Sequence, residues 1–198
     1  MKQSTVNIGP NTSLCCSDCT RKLHKWRKEL NSIFSKEELE EGYCYYFLYC
    51  KSNKLFEEKF GKNIRIGGYA KLRHRQKRRE RWYSSDIEKR VRINVVLPCS
   101  QTERHSFIHE MQHAVDNCSQ EFADYTLDDY MCMEMRAYSK ANVPKGKDEA
   151  VYKKNLFDSV KKSYNEVLKQ KNLSYDEKVA YAKFLDLYND KCLKTYIS

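Results

Sequence analysis

Glycine and proline are scarce in this chain, with six and three residues among 198. So few chain breakers exclude a fibrous or low-complexity protein. With 40% hydrophobic and 32% charged residues, the composition is that of a folded domain leaning towards helix. Long hydrophobic runs are missing too. The longest uncharged apolar stretch, "YCYYFLYC" at 43–50, falls far short of the ~18 residues of a membrane span, so no transmembrane segment is expected. The opening "MKQSTVNIGPNTSLCCSDCT" lacks the apolar core of a secretory signal. No internal repeat is present. There is no second CxxC to accompany Cys16 and Cys19, which argues against a structural zinc at that pair. At this length one folded domain is expected, residues 21–198, preceded by an irregular cysteine-bearing arm, residues 1–20.

Positive charge and cysteine are plentiful. Thirty-seven Lys and Arg against 27 Asp and Glu give a formal charge of +10. The excess is concentrated in "KLRHRQKRRER", residues 71–81, which carries seven basic residues and one acid. Such a segment is expected to form an exposed basic loop. It offers contact with anionic lipid or an acidic protein, or, with Trp82 and Tyr83 following it, with nucleic acid. The nine cysteines are many for a reducing compartment and odd in number. About four disulfides in an oxidising compartment are expected.

Periodicity predicts the elements. Leu23, Trp26, Leu30 and Phe34 share one helical face. Ser35 and Glu38 form a capping box, which predicts a second helix from Lys36 to about Cys50. "NIRIGGYA" predicts a short strand ending in a turn at Gly67-Gly68, and "KRVRINVVLP" alternates as a half-buried strand over 90–97, stopped by Pro98. Ser100 and Glu103 cap a helix from about Gln101 to Asn117, and Thr126 with Asp129 starts the next. Two amphipathic helices close the chain within 147–195. One carries Val151, Leu156, Val160, Tyr164 and Val167, and the other, capped by Ser174 with Glu177, carries Val179, Ala182 and Leu185. The fold class is α+β, with a small sheet packed on the helix that starts near residue 101.

That helix carries "HEMQH". His109 and His113 lie one turn apart on one face, where both imidazoles can bind a single Zn²⁺. Glu110, next to the first histidine, is placed to act as general base towards the water on the metal. A catalytic zinc needs a third protein ligand. None of the five histidines follows His113, which excludes the downstream histidine of metzincins. His105 is about 12 Å from His113 along the axis, too far to share the ion. Glu134 is the better third ligand, because it falls in an apolar stripe with Leu127, Tyr130, Met131 and Tyr138, where a carboxylate needs a partner. Asp116, on the face of the two histidines, is the alternative ligand or a group orienting a histidine N–H. Tyr138, His105 and Arg136 are the candidate oxyanion donors.

The string "HEMQHAVDNC", followed by "CMEMRAY", resembles the Atp23-type mitochondrial inner membrane proteases, whose signature reads HExxHAxDxC and then CxExRA. Upstream, "IGGY" and "NVVLPC" resemble that family's Gly-Gly-aromatic segment and its apolar strand, so the similarity spans roughly residues 64–140. The resemblance implies a zincin-like metalloendopeptidase of gluzincin type in the mitochondrial intermembrane space, acting on protein or peptide substrates. It further implies one catalytic Zn²⁺ held by His109, His113 and Glu134, with Glu110 as base, and it matches Cys99, Cys118 and Cys132 to family cysteines. The basic loop 71–81 is not a feature of that family, so a relative in another compartment, such as a secreted effector protease, stays open beside it.

Overall fold

Tyrosine, phenylalanine and cysteine, with one leucine, fill residues 44–50, a composition that suits a pleated surface buried on its faces better than a helix. In the computed structural model this segment is the strand β2 (Cys44–Lys51), where a helix to Cys50 was expected. The helix begun by Ser35 is only α3 (Lys36–Glu40). Its capping box is real: the Ser35 N–H donates to Glu38 Oε2 at 2.6 Å and the Glu38 N–H to Ser35 Oγ at 3.2 Å. A cap sets where a helix starts, whereas its length depends on the residues downstream. The structure describes residues 6–8, 17–40, 44–60, 69–73, 91–99, 103–119, 126–141, 148–190 and 192. Ile64, Ile66 and Gly67-Gly68 of the expected strand and turn, and residues 74–81 of the basic segment, lie outside them, whereas residues 71–73, expected in an exposed loop, belong to a strand. The chain forms two compact units, residues 1–122 and 123–198.

In the first unit β2 pairs in parallel with β1 (Val6–Ile8) on one side and with β4 (Val91–Pro98) on the other. β3 (Tyr69–Arg73) adds antiparallel to β4, giving the order β1-β2-β4-β3. β1 lies inside the expected irregular arm, too short for alternation to reveal it. Register places Val6 beside Tyr46, and Tyr46 and Leu48 beside Ile93 and Val95. Because side chains alternate, these residues form one apolar face, and all five are buried. Cys44 and Cys50 belong to the same face and bond to Cys118 and Cys19, on α5 (Arg104–Ser119) and α1 (Ser17–Arg27) respectively. Both helices therefore cover that face, with α1 on β1 and β2 and α5 on β4 and β3, and Trp26 stacks on Phe107 at 5.7 Å. β4 was expected to be half-buried. As an inner strand it buries both faces, Asn94 and Val96 included.

Leu23, Trp26, Leu30 and Phe34 are buried as their spacing predicts. Leu23 and Trp26 are on α1, Leu30 opens the single turn α2 (Leu30–Ile33), and Phe34 follows that turn in extended conformation. After β2 comes α4 (Asn53–Phe60).

The second unit is helical. It holds α6 (Leu127–Ala141), α7 (Glu149–Gln170) and α8 (Glu177–Asp190), with both α7 and α8 against α6 and against each other. The predicted Thr126–Asp129 box caps α6: Asp129 Oδ2 accepts from the Thr126 N–H and hydroxyl, and the Asp129 N–H donates to Thr126 Oγ1. α7 ends in a Schellman turn. Leu173 N–H reaches Leu168 O, Asn172 N–H reaches Lys169 O, and Asn172 takes the left-handed φ of 56°. Cys132 of α6 is bonded to Cys192 beyond α8.

The faces of the last two helices agree with expectation in part: Leu156, Val160 and Tyr164 are buried and Leu185 packs partly against the core, whereas the other expected positions differ. α7 buries Tyr152, Leu156, Val160, Tyr164 and Leu168 at a spacing of four, and leaves Val151 53% exposed. α8 buries Ala180 and Phe184, with Val179 66% exposed. The aromatic rings, which remove more surface from water than valine or alanine, decide which face turns inward. The α8 cap differs as well. Asp176 Oδ1, not Ser174, accepts from the N–H groups of Lys178 and Val179 at 2.8 and 3.1 Å. Asp176→Ala is accordingly expected to lower unfolding stability by about 1 kcal/mol and Ser174→Ala to be neutral. A urea titration that ranks the two variants the other way would discard this assignment.

Candidate metal centre

α5 has an apolar side and a polar side. Phe107, Ile108, Met111, Ala114 and Val115 are buried in the first unit, which fixes the helix's rotation about its axis. Its start is three residues later than predicted, at Arg104, where Arg104 Nε donates to Glu29 Oε2 at 2.7 Å. Ser100 of the expected capping box lies outside the described residues.

With the rotation fixed, His109 and His113 project together, each half-buried. Their Nε2 atoms are 2.9 Å apart and the rings meet edge to face, centroids 4.5 Å apart at 89°. Two nitrogens bound to one tetrahedral zinc stand roughly 3.3 Å apart, from bond lengths of about 2.0–2.1 Å. The pair thus converges on a point that one ion fits. Glu110, adjacent in sequence, is only 8% exposed.

The other candidates fall in different places. Asp116 is on the histidine side of α5 and is buried, its Oδ1 accepting from Gln112 Nε2 at 2.9 Å. His105 is exposed, its Nδ1 3.1 Å from Glu103 Oε2 at the helix start. Glu134, Arg136 and Tyr138 belong to α6 in the second unit. There Met131 and Met135 enter the core, Tyr138 packs partly against it, and Glu134 is half-buried among them. Asp129 is held below the usual carboxylate range by its hydrogen bonds with Thr126, helped by the charge of Arg136.

Among the described residues His109 and His113 on α5, and Glu134 on α6, each offer one atom that could bind a metal ion. Cys19 is committed to its disulfide, so Cys16 and Cys19 do not act together as a zinc pair. Cys99 is disulfide-bonded as well. Gln112 was not singled out from sequence. Its signal was available, because three residues after His109 and four before Asp116 it must lie between the polar and the apolar sides of the helix.

Among the described residues no helix is long and apolar enough to cross a membrane. No family model, curated protein or solved structure matches this chain.

Proposed function

We propose that this chain is a zinc-dependent metalloendopeptidase of gluzincin type with a zincin-like domain, in which His109, His113 and Glu134 hold the ion and Glu110 is the general base. The observation that carries the proposal is the 2.9 Å approach of the two Nε2 atoms on a helix whose next residue after His109 is a buried carboxylate. A structural zinc site has no use for that carboxylate. The resemblance of residues 64–140 to the Atp23-type proteases adds to it, and would put the protein in the mitochondrial intermembrane space. The disulfides suit an oxidising compartment of that kind.

When bound, zinc supplies a Lewis acid that polarises a peptide carbonyl and brings the pKa of a bound water towards 7. The chain's own groups supply the rest. Glu110 accepts a proton from the attacking water and returns it to the leaving amine, so that its carboxylate is regenerated at the end of each turnover. Among the described strands β3 is at an edge of the sheet and packs against α5, and it offers backbone hydrogen bonds to an extended peptide.

The test is the zinc content of the purified, dialysed protein. One zinc per chain is expected in wild type, with loss from His113→Ala and Glu134→Ala. No zinc in wild type expressed with the metal supplied would end the proposal. Retention by Glu134→Ala alone would move the third ligand elsewhere.

A further inference from the structure

Residues 17–30 carry five Lys and Arg against two acids. α1 sorts them by side. Cys19, Leu23 and Trp26 are buried where the helix covers the sheet. Arg21, His24 and Lys25, with Lys28 in the turn that closes the helix, are exposed. At 3.6 residues per turn these four fall within about 100° of one another, on the side opposite Leu23 and Trp26. The back of this core helix is a basic ridge.

The two acids do not neutralise it. Asp18 is shared between Arg21 and Lys22, which leaves one positive charge over. Glu29 is paired with Arg104 of α5. Lys25 and Lys28 make no ion pair among the described residues. The ridge is also firmly mounted, because Cys19 is bonded to Cys50 of β2 and Trp26 stacks on Phe107. α1 therefore keeps its apolar side inward and presents charge alone.

That property selects the partner. A protein is gripped through apolar and aromatic anchors at a desolvated centre, and a single-stranded nucleic acid through exposed rings on which its bases stack. α1 offers neither: among the described residues the exposed large hydrophobics are Leu55, Val151, Leu173 and Val179, none of them on this helix. A layer of anionic headgroups needs only cations brought within a Debye length of it. We propose that the outward side of α1 is a docking surface for an anionic phospholipid membrane, on which the protein lies without inserting. Each lysine at such a surface strengthens partitioning about fivefold. The inference goes beyond the zinc reading and does not depend on it.

The experiment is co-sedimentation of the full oxidised chain with vesicles of two parts phosphatidylcholine to one part phosphatidylserine, and with phosphatidylcholine alone. Wild type is expected on the anionic vesicles only, and to leave them at about 0.5 M salt. Lys25→Glu/Lys28→Glu is expected to partition about 25-fold more weakly or worse. Lys162→Glu/Lys178→Glu has the same net charge but changes exposed lysines of the second unit, and is expected to bind as wild type. Urea midpoints check that the variants are folded, and Lys25→Gln/Lys28→Gln replaces the first should it not be. A ridge that serves only the helix would show in those midpoints and leave binding as it was. No binding by wild type, equal losses in the two double variants, or wild-type binding by a folded Lys25/Lys28 variant would each overturn the inference, the last leaving the basic segment 71–81 as the contact. Binding of polyglutamate or of an oligonucleotide that the α1 variant loses, with none to vesicles, would give the ridge to another polyanion and overturn it too.

Discussion

Glu110→Gln is expected to keep its zinc and to cleave an unstructured labelled protein such as casein on the order of 10²–10⁴-fold more slowly than wild type. The amide has the size and shape of the carboxylate but cannot take a proton, so the variant removes one property alone. Glu110 is not among the three residues proposed to hold the ion. It is buried on the helix that carries two of them. Loss of rate should therefore appear in kcat with the metal content unchanged. Cleavage at the wild-type rate would take the base away from Glu110. Loss of zinc together with rate would mean that the side chain maintains the site rather than working in the reaction.

The second large effect is on stability. Removing the Cys44–Cys118 disulfide by alanine at both positions is expected to cost about 4 kcal/mol, from the loop-closure entropy of two residues 74 apart in sequence. That is a large share of the ~5–15 kcal/mol by which domains are usually stable. The bond ties the last turns of α5 to β2, so it constrains the helix bearing the two histidines against the sheet. Urea unfolding in oxidising buffer measures it, with wild type in a strong dithiol reductant as the control in which all the disulfides are open. Equal midpoints for the double variant and the oxidised wild type would show that the cross-link adds nothing to the packing around it.

Local signals in the sequence were the most dependable. The HExxH helix, the strand ending at Pro98, and the Ser35 and Thr126 capping boxes each depend on residues within one or two turns of each other. Their physics is complete in a short window. Apart from the α8 cap, where Asp176 takes the place of Ser174, the errors arose where the decision was tertiary. "YCYYFLYC" is apolar without a period, and only its place between β1 and β4 makes it a strand. On α7, Val151 competed with the neighbouring Tyr152 for the inward position, and bulk decided. The disulfide pairing was unreadable for a related reason. Cys44 and Cys50 share a sheet face through strand parity, a fact that exists only once β2 does. The histidine pair was legible from spacing alone, whereas the buried Gln112–Asp116 bond required knowing which way α5 is turned.

The strand order of the first unit also bears on how it is built. β2 waits for partners from both directions: β1 about forty residues earlier and β4 some fifty residues later, both in parallel. Parallel pairing at such separations closes long loops before any contact rewards the closure, so it forms slowly, whereas the neighbouring helices of the second unit meet through short-range contacts. Until residues 91–98 have been made, Tyr46 and Leu48 have no β4 to cover their edge, and Cys44 has no Cys118 to pair with. A nascent chain therefore passes through a period with an open strand and unpaired thiols, in which mispairing or aggregation competes with folding.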